Sequence, residues 1–219
     1  YWLIHSLIDY VSENRREILE ILSEADRSAI ARGENPSSAD SFAIEYKPVP
    51  APNQVKIRTY EADLVTDANG RRSYRRSDRQ KDVTVPYLVD FIPVRSVKYP
   101  YAYLITVRDP EVLKLLSVQG IKVEKLAVKT ALEVLRFDIS ELKGSTRLNQ
   151  GHYTNSVKGS YRSETVEFPA GTVVVRTSQK LANVASYLLE PQSNDGLLTW
   201  NFLDRYLVPQ WGMGYNAYP

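Results

Sequence analysis

The chain has 219 residues, 43% hydrophobic and 25% charged, with a formal net charge of +2, a balance that suits one sizeable globular domain or two small ones. So small a charge supplies no global field for nucleic acid or an acidic membrane surface, and the absence of cysteine excludes disulfides, thiolate metal sites and cysteine nucleophiles. No apolar run approaches the roughly 18 residues that a membrane-spanning helix needs, so neither a nucleic-acid partner nor a membrane span is expected.

Leu3, Leu7, Tyr10, Val11, Ile18, Ile21, Leu22 and Ala25 recur at helical spacing and predict one long amphipathic helix from the start to about Arg32. Gly33 is its expected C-cap, and Pro36 blocks continuation. No capping residue precedes the helix, so its start reads as a cut edge, supported by chain upstream. Residues 33–40 form a polar linker rich in turn formers, and residues 41–219 read as a β-rich module.

Within that module, strands are expected at Phe42–Tyr46 and Val55–Val65, followed by the hairpin signal Asn69-Gly70. Further strands are expected at Val83–Val89, Val94–Val97 and Tyr101–Val107. Asp109 and Pro110 open a short helix that Gly120 closes. Ile121–Leu126 and Leu132–Ile139 return to strand, and Lys143–Ser160 reads as a long polar loop or irregular hairpin. Thr165–Phe168 and Thr172–Arg176 flank a Pro169-Ala170-Gly171 turn, Leu181–Leu189 is a helix stopped by Pro191, and Leu197–Leu207 is a last amphipathic segment. With no alternating βα rhythm, the expected fold is mainly β: a sandwich-like module with a few short helices, preceded by the long helix.

Catalytic chemistry is hard to place. A zinc site needs three or four ligands, and the two histidines, His5 and His152, lack the H-x-x-E spacing. His152 is the one realistic base for a serine nucleophile, but no G-x-S-x-G elbow presents one. Phosphate-cradling glycine motifs are absent too. No catalytic or metal-binding residue is therefore assigned. Arg71, Arg72, Arg75, Arg76, Arg79 and Lys81, with Tyr74 among them, form a candidate anion-binding arm, or simply a solvated hairpin. Tyr99, Tyr101 and Tyr103 alternate and so share one face if extended. Trp2, Leu3, Leu7 and Trp211 are candidate interface residues.

The C-terminal third carries a specific series: Phe168–Arg176 (FPAGTVVVR), Gln179, Ala185–Pro191 (ASYLLEP) and Asp195–Phe202 (DGLLTWNF). It resembles the C-terminal region of bacterial, largely secreted or periplasmic zinc carboxypeptidases of the carboxypeptidase A-like family. Tyr101–Ile105 and Gln119–Glu124 fit the same region, and Leu7–Arg15 resembles the last helix of the catalytic domain. That family's zinc ligands come from an H-x-x-E pair and a later histidine, none of which is present. The resemblance implies an accessory, noncatalytic portion of a zinc metallopeptidase, with zinc held in an upstream catalytic domain and no cofactor in this chain. Residues 1–32 would then be the end of that catalytic domain, which is the expected partner, in a secreted or periplasmic protein. Two other readings stand beside it: an independent module binding cell-envelope glycan or another anionic polymer, and an assembly role through self-association.

Overall fold

A computed structural model describes residues 1–207, so Trp211 lies outside the described residues. The helices are α1 (Trp2–Glu13), α2 (Arg15–Glu34), α3 (Pro110–Val118) and α4 (Ala182–Leu189). The strands are β1 (Ser41–Pro50), β2 (Val55–Thr66), β3 (Arg72–Val85), β4 (Leu88–Lys98), β5 (Ala102–Ile105), β6 (Glu124–Lys125), β7 (Thr130–Gly144), β8 (Asn155–Phe168) and β9 (Val173–Arg176). The chain is mainly β with a few short helices, as the strand and turn signals predict.

The single N-terminal helix is a pair. Asn14 leaves the helical path at φ −102°, ψ 15°, and its Nδ2 donates to the Tyr10 carbonyl at 2.8 Å, the local competition with the helix ladder that asparagine offers. Gly33 is not the cap. It lies inside α2, which ends at Glu34 and is capped by Asn35. A Cβ at Gly33 would come within 2.1 Å of the Thr177 backbone, so glycine is there for close approach. Arg32 supports the same junction, with its guanidinium 3.9 Å from the centre of the Tyr99 ring and Nη2 donating to the Ser41 carbonyl.

Contacts divide the chain into two units: Tyr46–Arg95, and Tyr1–Glu45 with the chain from Ser96 onward. The first unit contains the antiparallel β2–β3 hairpin, whose turn holds Gly70 at φ 77°. What reads as one strand from Val83 to Val89 is interrupted at Pro86-Tyr87, because proline donates no ladder hydrogen bond. No side chain between Tyr46 and Arg95 is buried.

The second unit holds the core. β9 is the centre of a three-stranded sheet, flanked by β5 and β6 and antiparallel to both. Val173 and Val175 pack with Ile105, Val112, Leu116, Leu189, Leu197 and Leu203. β7 and β8 form a long hairpin in register from Thr130↔Phe168 to Gly144↔Asn155, which contributes Phe137 and Val157 to the core. Much of the span read as a polar loop, Lys143–Ser160, is thus paired strand. Only residues 145–154 connect the two strands, with an Asn149↔His152 bridge. Ile121–Leu126 shrinks to the two-residue β6, and Leu197–Leu207 is a run of turns ending in a 3-10 turn at Asp204–Tyr206. At α3, Asp109 accepts from the amides of Glu111 and Val112, and Gly120 follows at φ 78°, as the capping pattern predicts.

Candidate functional site

Pro191 helps to set the backbone of a perturbed acid in the core. A residue before proline is pushed out of the helical region, and Glu190 accordingly ends α4 at φ −70°, ψ 127°. Its side chain meets two tyrosines from different strands. The Tyr103 hydroxyl on β5 donates to Oε1 at 2.7 Å, and the Tyr161 hydroxyl on β8 donates to Oε2. Glu190 is only 4% exposed, and no Lys, Arg or His nitrogen pairs with it among the described residues. Burial raises its pKa, and the two phenolic donors only partly oppose that. Tyr103 is pushed well above its ordinary value, first by burial and then by the Glu190 charge, both of which disfavour a phenolate.

This triad sits in the wall of a cleft of about 870 Å³ within the core-bearing unit. Leu132, Val134, Phe137, Val166, Leu189 and Leu197 supply its apolar lining. Phe137 stands opposite Tyr161 across the β7–β8 ladder, with ring centroids 5.1 Å apart, edge to face. The three alternating tyrosines do not share one environment. Tyr99 is 1% exposed, Tyr101 is 52% exposed and takes a hydrogen bond from Arg176, and Tyr103 reaches Glu190. Nothing in the sequence singled out Glu190 among many acids. The one available signal is its place between Leu188-Leu189 and Pro191, where an acid must turn back toward apolar neighbours.

The basic arm lies on β3 and the turn before it. Arg79 is neutralised by Glu61 and Asp63 at 2.6 and 2.7 Å, and Arg76 sits 3.5 Å from the centre of the Tyr60 ring. Arg71, Arg72, Arg75 and Lys81 form no ion pair among the described residues. Arg72, Tyr74 and Arg76 fall on one face of the strand by alternation, and Tyr74 is 77% exposed.

Trp2, Leu3 and Leu7 lie on α1, a helix with no buried residue. Ile4, Ile8, Tyr10 and Val11 add to the same exposed apolar surface, from 82% exposure at Trp2 to 52% at Val11. The histidines are far from any ligand set. His5, on α1, lies with its ring tilted against that of Tyr1, while His152 lies in the β7–β8 connection against Trp200, with Nδ1 3.3 Å from Asn201 Oδ1. Among the described residues no group of three or more His, Cys, Asp or Glu is placed to hold a metal ion. These residues do not fit a catalytic zinc. No helix among the described residues is long and apolar enough to cross a membrane.

No family model matches the chain, and no solved structure matches it. Curated proteins do. Carboxypeptidase 2 of Trichophyton rubrum is 29% identical over 133 residues, which is 56% of this chain and 25% of that protein. Carboxypeptidase 2 of Trichophyton equinum is 28% identical over 123 residues, covering 53% and 23% respectively. Probable carboxypeptidase 2 of Arthroderma benhamiae is 31% identical over 126 residues, covering 55% and 24%. The chain therefore contains a carboxypeptidase-related region, and it spans about a quarter of the length of these relatives.

Proposed function

We propose that this chain is the noncatalytic accessory region of a zinc carboxypeptidase-type peptidase, packing on or positioning a catalytic domain that precedes it. One structural observation carries the reading: α1 presents an apolar surface from Trp2 to Val11 that nothing among the described residues covers. Large contiguous apolar patches on folded proteins mark interaction surfaces. The match to about a quarter of each carboxypeptidase 2 supports it, because the remaining length is room for a catalytic domain. In this reading zinc and the peptide-hydrolysing groups belong to the preceding domain, and the parent is secreted or periplasmic. The residue motifs favour a bacterial parent and the relatives are fungal; the docking role is the same in either.

The test is binding in trans between this chain and the polypeptide encoded upstream of Tyr1. A saturable complex is expected, weakened at least about tenfold by Leu7→Asp with Ile8→Asp, a loss typical of centrally placed anchors. No complex, or one indifferent to both changes, would overturn the docking reading. Zinc bound in stoichiometric amount by this chain alone, with release of C-terminal residues from peptides, would overturn its noncatalytic half.

A second reading has its own observation. The Tyr46–Arg95 unit carries ten Lys and Arg against six Asp and Glu, a formal +4, while the whole chain carries +2. The unpaired arginines beside Tyr74 suit an anionic polysaccharide of the cell envelope. Replacing Arg71, Arg72, Arg75, Arg76, Arg79 and Lys81 with Ala should abolish salt-sensitive retention on such a polymer. Unchanged retention would dismiss the arm.

A further inference from the structure

We propose that the Glu190 cleft is a binding site for a small organic cation, a primary ammonium carried on an apolar body. The proposal stands on the cleft alone and does not depend on what precedes Tyr1.

Three observations combine. One wall carries the Glu190 carboxyl, 4% exposed, with no cationic partner among the described residues. A carboxyl so placed keeps its proton unless something of opposite sign reaches it, and an ammonium that does so draws it into the ionised form. Next, the protein groups on Glu190 are both hydroxyls, and Tyr103 spends its single proton on Oε1. The remaining lone pairs of the two carboxyl oxygens are the acceptors this leaves. That wall therefore offers hydrogen-bond acceptors, and it suits a donor that carries positive charge. Finally, the walls are apolar and aromatic: Leu132, Val134, Leu197 and the Phe137–Tyr161 pair. Ring faces attract a desolvated ammonium, and aliphatic walls bury the hydrocarbon attached to it. A cleft of about 870 Å³ lies in the range that small-molecule sites occupy.

The same chemistry states what is refused. A carboxylate or phosphate ligand would face Glu190 as a like charge. A neutral alcohol of the same shape would gain the walls and lose the charge-assisted bond.

The probes are 2-phenylethylamine, 2-phenylethanol and phenylacetate, which share a ring and differ in head group. They are titrated into the full chain by calorimetry near neutral pH. The amine should bind saturably and at least about tenfold more tightly than the alcohol, a gap set by one charge-assisted bond, while the acid should not bind. Glu190→Gln should bring the amine down to the level of the alcohol. Leu132→Trp, which fills the wall without touching the carboxylate, should remove both. Equal affinity of amine and alcohol for the unmodified chain would overturn the proposal, a comparison that needs no variant to fold. Undiminished amine binding by folded Leu132→Trp would overturn it as well, because the ligand would then sit elsewhere.

Discussion

Burial raises Glu190 above its ordinary value of 4.5, so the folded chain keeps a proton that the unfolded chain has already released. Between 4.5 and the folded pKa the native state binds more protons than the unfolded one, and stability falls as pH rises. Glu190→Gln keeps the shape and cannot ionise. Urea melts at pH values rising from 4.5 should show the unmodified chain losing stability relative to Glu190→Gln until the folded pKa is passed. A constant difference would mean that the carboxyl does not titrate with folding. Asp109 has the opposite sign. Burial alone would raise its pKa, but the amides of Glu111 and Val112, the Tyr206 hydroxyl and Arg205 outweigh burial and hold it below 3.8. Its contribution is present above that value and disappears as pH falls through the folded pKa. Asp109→Ala should cost about 2 kcal/mol in thermal denaturation near neutral pH, the upper end for a lost N-cap. A loss within error of zero would mean that water replaces the cap.

Helices and strands show where local rules were sufficient and where they failed. The Asp109-Pro110 cap, the Asn69-Gly70 turn and the Pro191 stop were legible because each acts through its own backbone. Gly33 was misread, since its role depends on Thr177, far along the chain. That difference can be measured. Alanine is a better helix former than glycine by about 1 kcal/mol, yet a Cβ at Gly33 would press into the Thr177 backbone. Gly33→Ala should therefore destabilise the fold by about 2 kcal/mol, seen as a shift in urea midpoint. A gain in stability would show that the α2 end does not pack as described. The far ends of β7 and β8 were read as loop because Lys143, Gly144, Asn155 and Ser156 offer no apolar alternation. Only Leu142 and Val157, half-buried and buried, betray the ladder. Glu190 was invisible for a related reason: its burial comes from Tyr103 and Tyr161, 87 and 29 residues away.

Across the whole molecule, burial is unevenly shared. Every buried apolar side chain in the described residues lies outside Tyr46–Arg95. Segments with few buried contacts open at low free energy, and this one is rich in arginine. Limited trypsin digestion should therefore cut first after Arg71, Arg72, Arg75 or Arg76, leaving fragments that retain the β5–β9 pairing. Mass spectrometry would read the order of cleavage. First cuts at Arg136 or Arg162 in β7 and β8 would contradict it.

The position of β9 at the centre of its sheet also governs how quickly the chain can fold. Its partner β5 lies about 70 residues earlier, so the central pairing must wait for a long loop to close. The β7–β8 hairpin lies inside that loop and brings Thr130 to Phe168. Once zipped, it spares the chain most of the search, leaving the short segments on either side to be closed. A hairpin that forms from neighbouring residues thus sets the pace for the strand that completes the core.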